Sequence, residues 1–233
     1  MTNSMKTITI GDLHGKDVWK KFIDENPQID KWVFVGDYCD AFDKSNAEIQ
    51  TNLLEIIFLK KEHPDKVELL LGNHDINYMF PTDGFYCSGY RSDMQQSLYV
   101  IFNENRKLFK VAYQTGEYLF THAGINSEWY LRNKKVLNMF DGNYADKLNC
   151  ILNSRYYNIL YDVSRLRGGK SVGGSPLWAD KVETMTNSFP VHQIVGHSRV
   201  SEIRHINASL RGGYSITYTD CLDKKIDFYE LEI

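Results

Sequence analysis

The sequence lacks the features that mark membrane-embedded, secreted and nucleic-acid-binding proteins. No apolar run approaches the roughly 20 residues of a membrane-spanning helix, and the opening MTNSMKTITIGD has no apolar stretch of signal-peptide length. Basic charge is also scarce, because 27 Lys and Arg stand against 30 Asp and Glu, for a formal net charge of −3. We therefore expect no membrane partner and no dedicated nucleic-acid-binding surface.

Cysteine and proline are few as well. The four cysteines, Cys39, Cys87, Cys150 and Cys221, are scattered and include no C-x-x-C pair. This pattern is typical of reduced thiols, so together with an opening that has no apolar run of signal-peptide length it predicts a cytoplasmic protein. Because there is no internal repeat or low-complexity linker, residues 1–233 are expected to form a single domain, with 127–190 as the candidate for a helical cap or insertion.

The first half of the chain alternates strands with helices. Short β-rich apolar runs at 6–11, 31–36 and 66–72 each end at a glycine, and helix-like segments at about 16–26 and 46–62 separate them. This order is typical of βαβ units and predicts a largely parallel sheet that is buried on both faces.

The second half has a more mixed pattern. A loop-like stretch covers 77–93, a mainly helical region covers 127–166, and a glycine-rich loop covers 167–175. The remaining predicted elements are a helix at 94–108 and strands at 109–114, 117–122, 191–197, 203–209, 214–219 and 225–232.

Five short motifs carry the candidate chemistry. In chain order they are GDLHG (11–15), GDYCD (36–40), GNHD (72–75), THAG (121–124) and GHSR (196–199). Asp12, Asp37, Asn73 and His122 each lie at or just beyond the end of a predicted strand, and the carboxyl ends of strands in an α/β sheet meet at one edge. Carboxylate, imidazole and amide ligands together suit Mn²⁺, Fe²⁺ or Zn²⁺ and suit Ca²⁺ poorly.

The five motifs, in this order from Gly11 to His197, resemble the calcineurin-like metallophosphoesterase superfamily. The GDYCD form resembles its phosphoprotein phosphatase branch, including small bacterial and phage members. The resemblance implies an α/β fold, a four-layer α/β/β/α sandwich with a dinuclear metal site at the carboxyl ends of the strands. It also implies two divalent ions, with Mn²⁺ expected and Fe or Zn as alternatives, held by Asp12, His14, Asp37, Asn73, His122 and His197.

The resemblance further assigns roles within the site. Asp12 and His14 would hold the first ion, Asp37 would bridge both, and the remaining ligands would hold the second. His74 would be the general acid that protonates the leaving oxygen, and Asp40 would hold its imidazole and keep it protonated. Hydrolysis would follow attack by a metal-bridging hydroxide, with no phosphoenzyme.

Two departures from the family pattern concern the grip on the substrate phosphate. The arginine that usually follows the second motif is replaced by Ala41, and a second arginine expected after a late tryptophan is replaced by Asp180 in PLWAD (176–180). The candidate substitutes are Arg199, Arg167, Arg91 and Lys170. Arg199 also stands where many phosphodiesterases of the superfamily carry the second histidine of GHxH, which favours the phosphatase branch.

These observations leave three functions to weigh. The first is a phosphomonoesterase, with phosphoproteins as one class of substrate. The second is a phosphodiesterase or nucleotide pyrophosphohydrolase acting on nucleotides, which the loss of the arginine at Ala41 favours. The third is a non-catalytic scaffold, which the presence of all six implied ligands disfavours. In the first two cases the partner is a phosphorylated substrate, whether a small molecule, a nucleotide or a phosphoprotein.

Overall fold

A largely parallel sheet forms the first half of the fold. The structure, a computed structural model, describes residues 4–81, 86–207 and 213–233. The strands of this first sheet are β1 (Lys6–Ile10), β2 (Lys31–Phe34), β3 (Val67–Leu70), β4 (Phe109–Lys110) and β10 (Tyr229–Glu232). They lie in the order β10-β1-β2-β3-β4, in which β1 to β4 run parallel and β10 pairs antiparallel with β1.

A second five-stranded sheet is built from the later strands. These are β5 (Ala112–Thr115), β6 (Tyr118–Thr121), β7 (His192–Val195), β8 (Arg204–Asn207) and β9 (Ser215–Tyr218). Their order is β5-β6-β7-β9-β8, with the three central strands parallel and the two outer strands antiparallel to their neighbours. The parallel centre brings the carboxyl ends of β6 and β7 to one edge.

Helices form the outer layers. They are α1 (Trp19–Glu25), α2 (Asn46–Glu62), α3 (Asn73–Met79), α4 (Gln95–Glu104), α5 (Ser127–Leu137), α6 (Tyr144–Leu152) and α7 (Lys181–Thr184), with 3₁₀ turns at Ser92–Met94, Arg106–Leu108, Tyr157–Tyr161 and Arg165–Arg167. Helix α2 begins at a capping box between Ser45 and Glu48, which satisfies backbone donors that the first turn leaves free. It packs against β3, whereas α6 packs against β5 and β6.

The sheets pack face to face around a small apolar core. Val33, Val35, Leu70, Phe120 and Ile194 are buried together between them. Alternate residues of β2, such as Trp32 and Phe34, belong instead to the larger core under the helices, because successive side chains of a strand point to opposite faces. The predicted α/β/β/α sandwich is confirmed. Among the described residues, no helix combines the length and the apolar character needed to cross a membrane.

Three predicted elements differ from the structure. The strand predicted at 109–114 is interrupted at Val111, so that β4 and β5 belong to different sheets, and the side chain of Asn149 accepts the backbone N–H groups of Val111 and Ala112 at the crossing. The loop predicted at 77–93 begins too early, because 77–79 belong to α3, which buries Ile76 and Met79. Of the strand predicted at 225–232, only Tyr229–Glu232 is a strand in the structure, β10. Residues 208–209 of the strand predicted at 203–209 lie outside the described residues.

Candidate metal and catalytic site

The strand ends bring the motif residues to one cavity. Asp12 follows β1, Asp37 follows β2, and Asn73 opens α3 just after β3. On the second sheet, His122 directly follows β6 and His197 lies two residues beyond β7. A cavity of about 770 Å³ lies at this edge, and its walls include Asp12, His14, Asp37, Asn73, His74 and His197, while His122 is buried behind them.

Backbone strain is concentrated in these motifs. Within the described parts of the chain, four residues other than glycine have a positive φ: His14 at 45°, Asp37 at 55°, Asp40 at 61° and His197 at 61°. All four are predicted site residues. Such a conformation costs a non-glycine residue about 1–3 kcal/mol, and it persists at functional sites where the surrounding structure enforces it. The strain therefore marks the same site as the motifs, by an independent observation.

Two glycines allow the backbone to approach the carboxylates. A Cβ atom on Gly72 would lie 2.0 Å from Oδ1 of Asp37, and one on Gly196 would lie 2.0 Å from Oδ1 of Asp12. Neither distance is compatible with a side chain, so the glycines of GNHD and GHSR are required by close packing around the two carboxylates.

Four acceptor atoms converge around His122. Its Nδ1 lies 2.8 Å from the carbonyl oxygen of Val35, to which it donates, so in a neutral imidazole Nε2 is the acceptor atom. That Nε2 lies 2.8 Å from Oδ1 of Asn73, 3.2 Å from Nδ1 of His197 and 3.3 Å from Oδ2 of Asp37. With a neutral imidazole these acceptor atoms repel one another unless a cation stands among them, and a divalent cation satisfies all four. The residues therefore fit a metal ion.

A second group of predicted ligands also lies near Oδ2 of Asp37. Nδ1 of His14 is 2.9 Å from the carbonyl oxygen of Cys39, and its Nε2 is 3.8 Å from Oδ2 of Asp37. Both carboxylate oxygens of Asp12 accept the backbone N–H of His197. Burial and the charges of neighbouring carboxylates raise the pKa of Asp12 well above its usual range. A nearby cation would therefore be needed to keep this carboxylate ionised.

The pair of His74 and Asp40 has the geometry of an acid and its partner. Nδ1 of His74 lies 2.9 Å from Oδ2 of Asp40, while the other oxygen of Asp40 accepts the hydroxyl of Tyr78. Burial lowers the pKa of His74, but the charge of Asp37 and the hydrogen bond to Asp40 outweigh it, and the pKa is raised overall. The raised pKa favours a protonated imidazole at the cavity wall.

Asp75, the last residue of GNHD, was not predicted as a site residue although its motif had been identified. Its carboxylate accepts three backbone N–H groups, from Asp37 at 2.7 Å, Tyr38 at 2.9 Å and Gly72 at 2.8 Å. It thereby ties the end of β2 to the end of β3 and fixes the strained backbone of Asp37. A buried carboxylate with three backbone donors is a positioning residue of this site.

Cys87 and Asp220 were also missed. The thiol of Cys87 accepts Nδ2 of Asn73 at 3.0 Å, which turns the amide oxygen of Asn73 toward His122. Asp220 is buried at the cavity wall two residues beyond β9, and burial together with the charge of Asp37 raises its pKa to about 6. Asp220 obeys the strand-end rule used for the predicted ligands, whereas no sequence pattern identifies Cys87.

The four candidate phosphate-binding cations lie in different places. Arg167 and Arg199 line the cavity. The guanidinium of Arg91 instead donates to the side chain of Asn46 and to the carbonyl oxygens of Ala41 and Lys44, which fixes the loop after the second motif. Lys170 is exposed on the glycine-rich loop. The structure thus brings two of the four candidates to the site.

Arg167 and Arg199 differ in how they are held. Nε of Arg167 forms an ion pair with Asp180 at 2.8 Å, and its Nη2 donates to the hydroxyl of Ser198 at 2.7 Å. Arg199 is 67% exposed and pairs loosely with Asp223 at 3.5 Å. Since a fixed guanidinium loses less conformational entropy on binding a phosphate, Arg167 is the better prepared of the two.

Comparisons with known proteins place the chain among phosphoesterases. A family model described as calcineurin-like phosphoesterase matches residues 5–219. A curated protein, the symmetrical bis(5'-nucleosyl)-tetraphosphatase of Actinobacillus pleuropneumoniae serotype 3 (strain JL03), is 27% identical over 143 residues, which cover 54% of this chain and 48% of that protein. The matched region thus spans about half the length of this curated relative.

Solved structures share the fold over nearly the whole chain. The cold-active protein-tyrosine phosphatase of the psychrophile Shewanella sp. aligns with a TM-score of 0.65 at 19% identity, covering 98% of this chain and 75% of that one. A further structure of a cold-active protein tyrosine phosphatase aligns with a TM-score of 0.63 at 17% identity, covering 98% and 74%. At these identities the likeness shows a common fold and carries no information on the substrate.

Proposed function

This chain belongs to the calcineurin-like phosphoesterase family, as the five motifs indicated, and from that premise we propose that it is a metal-dependent phosphomonoesterase. The observation that carries the proposal is the convergence of Asn73, His197 and Asp37 on Nε2 of His122, at 2.8–3.3 Å. Such a cluster is built for a cation, and it stands beside an acid pair at the wall of an open cavity.

We propose the ligand roles that the motifs imply. Asp12 and His14 would hold one divalent ion, and Asn73, His122 and His197 would hold the other. Asp37 would be shared by the two ions, since its carboxylate lies close to His14 and also to His122 and His197. Bound ions would supply Lewis-acid chemistry, polarising a phosphoryl oxygen and lowering the pKa of water. The mixed carboxylate, imidazole and amide set favours Mn²⁺, with Fe and Zn as alternatives.

The protein's own groups would handle the proton and the phosphate. His74 is held at Nδ1 by Asp40, so its Nε2 is the atom that would donate a proton to the leaving oxygen. Arg167 would donate to phosphate oxygens that face away from the metal ligands, where charge-assisted hydrogen bonds are strong. Asp180 stands where the family has its second arginine. In this proposal it instead holds Arg167, which comes from another segment of the chain.

Two observations favour a second candidate, a nucleotide pyrophosphohydrolase. The curated relative is named as a nucleotide tetraphosphatase, and the arginine expected after Asp40 is replaced by Ala41.

The four unpaired cysteines are typical of a reducing compartment, so we propose the cytoplasm as the location under either function.

A substrate panel separates the two candidates. With Mn²⁺ present, kcat/KM is compared on an aryl phosphate monoester, an aryl phosphate diester, a phosphopeptide and a dinucleoside polyphosphate. We expect the highest kcat/KM on a monoester. A clear preference for the dinucleoside polyphosphate would replace the first candidate by the second, and hydrolysis of none of the four would contradict both.

Replacing Arg167 should weaken the grip on a phosphate dianion. Arg167→Ala is expected to lower kcat/KM on the monoester by about 10²-fold, the size seen when one charge-assisted donor to a developing charge is removed. The loss should be smaller on the diester, which carries one negative charge fewer. The more exposed Arg199→Ala serves as the matched comparison and should lose less on both. Equal kcat/KM values for Arg167→Ala and the wild type on both esters would refute the assignment.

A further inference from the structure

Large aromatic side chains form one part of the cavity wall. Phe42 is 75% exposed although it is among the most apolar residue types, and it lines the cavity together with Tyr86. The ring of Phe42 lies against the backbone of Gly89, because a Cβ on that glycine would be 3.2 Å from the Phe42 ring. An exposed apolar surface at the mouth of a polar cavity is a feature of ligand-binding sites.

This aromatic wall is connected to the acid pair. Tyr86 stacks on Tyr90 with ring centroids 4.3 Å apart, and Tyr90 stacks on Tyr78 at 5.1 Å. Tyr78 in turn donates its hydroxyl to Asp40, and Phe42 follows Asp40 by two residues. The tyrosine stack is therefore anchored to the same carboxylate that holds His74, and Phe42 lies next to that carboxylate in sequence.

The wall's composition differs from that of the cationic part of the cavity. Three cations line the cavity. Lys16 and Arg199 both pair with Asp223, and Arg167 pairs with Asp180 and donates to Ser198. The part of the lining formed by Ala41, Phe42, Asp43, Tyr86, Cys87 and Ser88 carries no cation, and its one charged residue is the exposed Asp43. Since His74 would protonate the leaving oxygen, the group attached to that oxygen extends from the acid pair, where the neighbouring surface presents aromatic rings and no cation.

We propose that Phe42 and Tyr86 form a leaving-group subsite that stacks on a planar aromatic ring of the substrate. This rests on the proposed function, which assigns His74 to the leaving oxygen, and it names the substrate class as phosphate monoesters whose leaving group carries such a ring. A phosphotyrosine side chain and a nucleoside both supply this chemistry. Stacking and edge-to-face contacts between aromatic rings add to the gain from burying their area.

The subsite is tested by binding, without turnover. Calorimetry on the Mn²⁺-loaded protein compares benzylphosphonate with butylphosphonate, which share the phosphonate group and differ in the ring. We expect the wild type to bind benzylphosphonate about tenfold more tightly, and Phe42→Ala to lose this difference while Phe42→Tyr keeps it. Phe58→Ala, which removes a ring that is 63% exposed on α2, is the matched control and should bind like the wild type.

The outcomes separate this inference from the proposed function. Equal affinities of the wild type for the two phosphonates, or an unchanged preference in Phe42→Ala, would overturn the subsite even if the protein hydrolyses phosphate esters. Thermal unfolding and metal content should match between variants, because Phe42 packs little in the fold.

Measuring the loss of kcat/KM in Phe42→Ala on phenyl phosphate, a nucleoside 5′-monophosphate and phosphoserine then identifies the ring. A loss confined to phenyl phosphate indicates phosphotyrosine, one confined to the nucleotide indicates a nucleoside, and an equal loss on all three, phosphoserine included, contradicts the subsite.

Discussion

Asp37→Asn is expected to lose both bound metal and activity, with kcat/KM falling by at least about 10³-fold, equivalent to about 4 kcal/mol of transition-state stabilisation. The carboxylate of Asp37 lies 3.8 Å from Nε2 of His14 and 3.3 Å from Nε2 of His122. Burial raises its pKa, but His122 and His74 outweigh burial and hold the pKa well below the usual range. The asparagine has no charge to share between two cations.

The comparison for this variant is Asp43→Asn. Asp43 also lines the cavity, but it is exposed and lies outside the converging ligand set. The two variants therefore remove the same charge from the same cavity. Metal content by elemental analysis and kcat/KM on an aryl monoester are measured for both. If the two variants retain equal metal and equal activity, Asp37 does not bridge the site.

His74→Asn should lower kcat by about 10²–10⁴-fold and leave KM nearly unchanged, because a general acid acts on the transition state and not on substrate binding. The loss should shrink for esters with good leaving groups, which need little protonation. The exposed His63→Asn is the control for loss of an imidazole. An equal loss across a series of leaving groups would show instead that His74 only supports the metal ligands.

The same assignment fixes a pH dependence. The acid form of His74 is the active one, so activity should fall as the pH rises through its raised pKa. Asp40→Asn removes a charge that raises this pKa, and the fall should therefore move to lower pH. A falling limb that stays in place in Asp40→Asn would show that another group controls it.

The fold and the convergence of the motif residues were largely predictable because both follow from local rules. The apolar runs ending at Gly11, Gly36 and Gly72 predicted parallel strands, and the strand-end rule then placed Asp12, Asp37 and Asn73 at one edge. The structure brings them there, together with His122 and His197 from the second sheet. How these residues share metal ions stays a prediction.

What could not be predicted depends on contacts between distant segments. Nothing near Val111 in sequence shows that the chain changes sheets there, because Asn149 of α6 satisfies the exposed backbone. The choice between Arg167 and Arg91 likewise depends on partners far along the chain. Asp180 holds Arg167 at the cavity, whereas the guanidinium of Arg91 donates to carbonyl oxygens of the loop at 41–46.

Titration of chelator-stripped protein with Mn²⁺ tests whether hydrolysis requires metal ions held by the converging residues. Hydrolysis of an aryl phosphate monoester and metal content by elemental analysis are followed in the same samples. We expect no activity in the stripped protein and a rise in activity that saturates at two ions per chain. Full activity in protein that elemental analysis shows to be metal-free would contradict this requirement.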